Sequence, residues 1–152
     1  MAFSAIRGLS VQTDSGRRRG PVVTEGAQAE LIQYRLKRAR EALEEALLMK
    51  QEAHWNTCAN RLYYACFYAV TALLAKEDRG SGKHSGVKAF FNQRWVRPGK
   101  VSKELGKLYN QLFEARQEGD YVDFVSFDHD AVAPWIPQVS DFVDTLSRLA
   151  EE

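Results

Sequence analysis

Residues 59–70, ANRLYYACFYAV, set one guanidinium into an otherwise apolar and aromatic run. Thr57, Arg61, Tyr64 and Tyr68 follow one another by steps of four, three and four, so on a helix they share one face. An arginine on such a surface has two uses. It holds a carboxylate as a structural ion pair, or it meets an anion such as a phosphate. If the helix that ends near residue 118 packs alongside, it brings Asp120 or Glu118 towards Arg61 as the carboxylate. Both uses stand on the residues alone.

Other residue types that do chemistry are scattered. GSGKHSG at 80–86 looks like a phosphate loop, but Glu77 stands where the first glycine belongs and His84 follows Lys83 in place of Ser or Thr. It reads as a turn between helices, with Lys83 and His84 candidates for an anion at the start of the next helix. The three histidines, His54, His84 and His129, have no partner at metal-ligand spacing, so no metal is expected. Asp120, Asp123, Asp128 and Asp130 do not match the calcium-loop spacing and read as a solvated turn. Arg17–Arg19 can touch phosphate, or form a solvated arm.

The elements that must position these groups are helices. Residues 1–27 are rich in Gly, Ser and Arg without a helical period and are expected to be a flexible tail; 28–152 form the domain. Ile32, Leu36, Ala39, Leu43 and Ala46 stripe a helix ending near 51. A second, at about 54–78, is apolar nearly all round and must be central. A short helix at 85–95 ends at the turn RPG, and Ser102 caps a helix over 103–118 that Gly119 is expected to stop. A last helix at 132–150 tolerates Pro134 and Pro137 because both fall in its first turn. Apart from an extended piece at 121–127, no strand competes. The expected class is all-α, an antiparallel bundle of about five helices with short extra loops.

The bulk composition agrees. One domain's length with 45% apolar residues supports a single core, and a net charge of +1 argues against a chain living permanently on nucleic acid or an anionic membrane. Cys58 and Cys66 lie two turns apart, roughly 12 Å, too far for a disulfide, and read as buried thiols in a reducing compartment. No run suits a membrane span, and no secretory signal opens the chain, so the cytoplasm is expected.

NRLYYACFYA, KHSGV at 83–87, ELGKLY at 104–109 and ARQEGDY at 115–121 arrive together in an order that resembles the HEPN domain family. The resemblance is to its small stand-alone bacterial and archaeal members with an N-R-x-Y-Y-A core. It implies a five-helix bundle that pairs into a homodimer, often a metal-independent ribonuclease of toxin–antitoxin or other defence systems. A minimal nucleotidyltransferase is a known kind of partner, and no cofactor is implied. Carried over, Arg61 matches the motif arginine and Asn60 the asparagine before it. Arg116, Asp120 and Tyr121 match the later motif. Tyr68 stands where the motif histidine belongs. Histidine, with a pKa near ~6.5, serves both proton transfers of RNA cleavage, whereas tyrosine near ~10 is a poor base at neutral pH. By analogy with related pairs, Tyr64 or Tyr68 is a target for adenylylation.

Three readings follow. The first is a dimeric nucleotide- or RNA-binding subunit working with a nucleotidyltransferase or within a defence operon. The second is an active ribonuclease using Arg61 with Tyr68 or His84. The third is a structural dimer in which Arg61 only makes an ion pair.

Overall fold

The computed structural model describes residues 24–77 and 82–152. They form α1 (Glu25–Gln51), α2 (Trp55–Lys76), α3 (His84–Phe91), α4 (Lys103–Tyr121), a single turn α5 (His129–Val132) and α6 (Trp135–Glu151). No strand occurs among the described residues, and the chain is the all-helical bundle that the periodicity predicts. Arg17–Arg19 and residues 78–81 lie outside the described residues.

Local chemistry sets the helix ends. The first helix starts at Glu25, earlier than its stripe suggests, because the Thr24 hydroxyl accepts the Ala27 N–H at 3.1 Å. Ser102 caps α4 in the same way, accepting from Leu105 N–H. Gly119 does not end α4, which runs on to Tyr121 until Val122 turns extended. Its role is space: a Cβ there would come within 3.1 Å of the Phe127 ring. The stretch 121–127, read as an extended piece, is instead the last residue of α4 followed by an irregular loop, with Phe124 at φ 67°. Asn56 holds this loop, donating to Val125 O at 3.0 Å and accepting from Phe127 N–H at 2.8 Å. Pro134 precedes Trp135 and Pro137 falls in the first turn of α6, where a missing N–H breaks no helical bond. The short helix widens into a π-helical turn over Asn92–Val96, and Gly99 takes the φ of 88° that the RPG turn needs.

α2 touches all five other helices. Its Leu62, Ala65, Cys66, Ala69, Val70 and Leu73 are wholly buried, which explains a helix apolar nearly all round. Facing it, Ala39, Ala42 and Ala46 of α1 are buried too, and small side chains let the two backbones approach closely. Phe91, Tyr109 and Phe142 join α3, α4 and α6 through ring contacts of 5.4 to 5.9 Å. Both cysteines are free and buried; burial pushes the Cys58 thiol up to about 11 and Cys66 well above its usual range, so neither is a ready nucleophile.

The α1–α2 turn sets the register of the two helices. His54 N–H bonds Met49 O at 2.9 Å and Ala53 N–H bonds Lys50 O at 3.0 Å, the paired bonds of a Schellman end. Ala53 takes φ 58°, a left-handed position that glycine normally fills. From this turn the helices run back antiparallel. Glu45 meets Arg61, Arg38 meets Tyr68 and Arg35 meets Thr71, each pair equally far along the chain from Ala53. Ala53→Gly relieves the left-handed strain but loosens the unfolded chain, and the balance favours glycine by about 0.5–1 kcal/mol. Chemical denaturation measures this; a destabilised glycine variant would show that the turn is not strained.

Candidate functional site

The site is built on the outward face of α2. Helical spacing aligns Arg61, Tyr64 and Tyr68, with the Tyr64 and Tyr68 ring centroids 6.1 Å apart. The Arg61 guanidinium lies 5.0 Å above the Tyr64 ring, a cation–π contact. It does not pair with Asp120 or Glu118 as the ion-pair reading expects. The turn register brings Glu45 of α1 to it instead, at 2.9 Å. Asn60 takes its other side, accepting from Nε at 3.1 Å and Nη2 at 3.0 Å. Asn60 then donates to Asp120 at 2.9 Å and so stands between the two expected partners. Arg61 remains a quarter exposed, held in place yet open to solvent.

Tyr68 shares the face but has a different partner. Arg38 of α1 donates to its hydroxyl at 3.2 Å and lies 4.9 Å over its ring. A phenol oxygen accepting from a guanidinium is not arranged to take a proton from an attacking hydroxyl.

α4 closes the other flank. Arg116 is buried, with its guanidinium 5.3 Å from the Tyr63 ring, 5.4 Å from Tyr64 and 5.6 Å from Tyr121. It donates to the Tyr121 hydroxyl at 3.3 Å and pairs by charge with Asp120 at 3.5 Å. Tyr121 itself is exposed. The structure therefore brings Asn60, Arg61, Tyr64, Arg116, Asp120 and Tyr121 into one connected group.

His84 joins the group through Tyr63, whose hydroxyl lies 2.7 Å from its Nδ1. The imidazole stacks on Phe67 at 4.4 Å and meets Tyr64 edge-on at 5.7 Å. Lys83, by contrast, is exposed at the head of α3 and makes no contact with this group. Burial pushes the Tyr63 phenol up to about 12, so it stays protonated at neutral pH. A phenol hydroxyl both donates and accepts, so its contact with Nδ1 serves either tautomer of the neutral imidazole.

The residues that sequence reasoning missed are Arg35, Arg38, Glu45, Asn56 and Tyr63. Helix-pairing register was the signal that could have found the first three: counting outwards from the turn matches Arg38 to Tyr68 and Glu45 to Arg61. Arg35 is buried and donates to Thr71 O at 2.7 Å, and burial lowers its pKa. A shallow groove of about 420 Å³ between α1 and α6 lies apart from this group. Lys37 and Arg40 line it together with Glu41, Glu44 and Glu151, so carboxylates outnumber cations there and the groove does not favour an anion. Among the described residues, no group of three or more His, Cys, Asp or Glu is placed to hold a metal ion, and no helix is long and apolar enough to cross a membrane.

Burial first, and the Arg116 charge second, hold His84 below its ordinary 6.5. Its folded value lies below the unfolded one, so folding expels its proton. The stability this provides is complete above the unfolded value and is lost as pH falls through it towards the folded one. NMR titration of the His84 ring should give a midpoint below 6.5, moving partway back in Arg116→Met. A midpoint at or above 6.5 in the wild type would contradict the buried, cation-facing environment.

Comparison with known proteins places this arrangement in a family. The chain is 44% identical over 122 residues to a UPF0332 protein of Thermotoga maritima, covering 80% of this chain and 92% of the relative. It is 29% identical over 86 residues to a protein of Methanocaldococcus jannaschii named a "putative toxin", covering 57% of this chain and 58% of that one. A second UPF0332 protein, from Gloeobacter violaceus, is 33% identical over 84 residues, covering 55% of this chain and 67% of the relative. The HEPN domain pattern itself matches residues 32–149, from the first buried turn of α1 almost to the end of α6. With most of its length matched and the Arg61 face in place, the chain belongs to the HEPN domain family.

Proposed function

We propose that this protein is a toxin-type binding subunit that pairs with a second copy and holds RNA or a nucleotide by its phosphates. Its setting is a toxin–antitoxin or nucleotidyltransferase-linked defence system. One observation carries the reading: Arg61 is fixed by Glu45 and Asn60 over the Tyr64 ring while staying open to solvent. A preorganised guanidinium beside the half-buried Tyr64 and Tyr68 rings suits a phosphate and a stacked base, and loses little entropy on binding. The likeness to a relative named a "putative toxin" supports the setting.

Binding without cleavage is the favoured form. The two groups nearest to a base on this face are both engaged: the Tyr68 hydroxyl accepts from Arg38, and the Nδ1 of His84 is bonded to the Tyr63 hydroxyl. A second reading, a metal-independent ribonuclease, draws on the unprotonated His84 ring beside Tyr64. Adenylylation of Tyr64 or Tyr68 by a nucleotidyltransferase partner would regulate either form.

The test uses a labelled single-stranded RNA oligonucleotide with chelator present, followed by anisotropy and by gel. The wild type should bind and leave the RNA intact. Arg61→Gln should bind at least about tenfold more weakly, with the slope of log K against log salt reduced by about 0.7, one phosphate contact on a single strand. Cleavage lost in both Arg61→Gln and His84→Ala would establish the ribonuclease instead. Neither binding nor cleavage would leave Arg61 as a structural ion pair with Glu45 and defeat the proposal.

A further inference from the structure

The second arginine of this group, Arg116, is held in a way that an ordinary structural ion pair does not explain. It is more than nine-tenths buried, and its Nε has no hydrogen-bond partner. The one carboxylate near it, Asp120, stands 3.5 Å away, near enough for charge attraction but too poorly aligned for a hydrogen bond. A buried guanidinium normally has its N–H groups satisfied, because desolvating them without partners is unfavourable by about 1–3 kcal/mol or more. Here three tyrosine rings surround the cation and supply only part of what water would.

The same Asp120 oxygen that faces Arg116 Nε also accepts from Asn60 Nδ2 at 2.9 Å. One carboxylate oxygen therefore occupies the point where two donors from two helices converge. Asp120 lies at the solvent edge, in the last turn of α4 just ahead of the 122–128 loop, so its side chain can swing out without disturbing the core. Arg61 completes the geometry. Arg61 and Arg116 lie 5.0 and 5.4 Å from the Tyr64 centroid, so the two cations are at most the sum of those distances apart, about 10 Å. Adjacent anionic groups of a phosphodiester chain or a polyphosphate fit within such a span.

We propose that Asn60 and Arg116 form a second phosphate site, which the Asp120 carboxylate occupies as an internal stand-in until a ligand phosphate displaces it. The proposal rests on the reading of Arg61 as a phosphate-binding residue and extends it to a ligand with at least two anionic groups, one on each arginine. A phosphate offers more acceptor oxygens than a carboxylate and can satisfy Arg116 Nε and Asn60 together. Asp120 thus lowers the affinity for anions and sets a threshold that a mono-anion does not cross.

The experiment measures binding of inorganic pyrophosphate by calorimetry and of a single-stranded RNA oligonucleotide by anisotropy. It compares wild type, Asp120→Asn, Arg116→Gln and Asp123→Asn, each checked for folding by circular dichroism. Asp120→Asn keeps the shape and an acceptor for Asn60 but removes the competing charge. It should tighten pyrophosphate binding about five- to tenfold, while Arg116→Gln weakens it at least as much. Asp123→Asn removes a charge from the same loop but none of these contacts, and should change affinity less than twofold. An Asp120→Asn effect no larger than that of Asp123→Asn would overturn the proposal, since general charge would then account for it. So would an Arg116→Gln variant, folded as the wild type, that binds pyrophosphate equally well. The two arms separate this site from the proposed function. Failure of RNA binding with a retained Asp120 effect on pyrophosphate defeats only the RNA reading. RNA binding that depends on Arg61 but ignores Asp120 and Arg116 defeats only the second site.

Discussion

The register between α1 and α2 is the constraint on which the site depends. It is fixed at one turn, where Ala53 accepts a left-handed backbone so that two hydrogen bonds can close the end of α1. From there Glu45, Arg38 and Arg35 each meet one partner on α2. A slip of a single position would take Glu45 from Arg61 and Arg38 from Tyr68 together. The buried alanines of α1 against the apolar face of α2 make such a slip costly, because close packing tolerates few alternative alignments. The seam that packs the bundle therefore also places the residues of the candidate site.

Around that seam, the polar chemistry gathers on a single aromatic ring. Tyr64 has Arg61 near it from its own helix, Arg116 from α4 and His84 edge-on from α3. Two like charges near one ring repel unless something offsets them. Glu45 faces Arg61, and Asp120 faces Arg116. The offset is incomplete at Arg116, whose Nε stays unbonded. A pair of cations kept near each other with loose carboxylate compensation is a poor way to stabilise a fold and a good way to receive an anion. The lowered pKa of His84 belongs to the same field, since a neutral ring adds no third charge.

Much of this was legible in the sequence, for physical reasons. Helical period gave the shared face of Arg61, Tyr64 and Tyr68, and the solidly apolar α2 announced its central position. Ser102 was readable as a cap because capping is a local affair. What was not legible depended on contacts between helices. Asp120 looked like the partner of Arg61, but an antiparallel register decided for Glu45, and Asn60 filled the space between. Gly119 looked like a helix stop because glycine commonly is one. Its actual task, admitting the Phe127 ring, depends on a loop that Asn56 holds from across the fold. Arg35 and Arg38 carry no sequence signal of their own, and only the register set at Ala53 buries one against Thr71 and lays the other on Tyr68.

The central claim is that the Tyr64 face, between Arg61 and Arg116, is where the ligand sits. Photocrosslinking of a 4-thiouridine-substituted single-stranded RNA, with the crosslinked peptides mapped by mass spectrometry, reads this directly. The account predicts crosslinks on α2 peptides at Tyr64 and Tyr68 and on the α4 peptide that carries Tyr121. Crosslinks confined to the groove between α1 and α6, with the α2 face untouched, would contradict it.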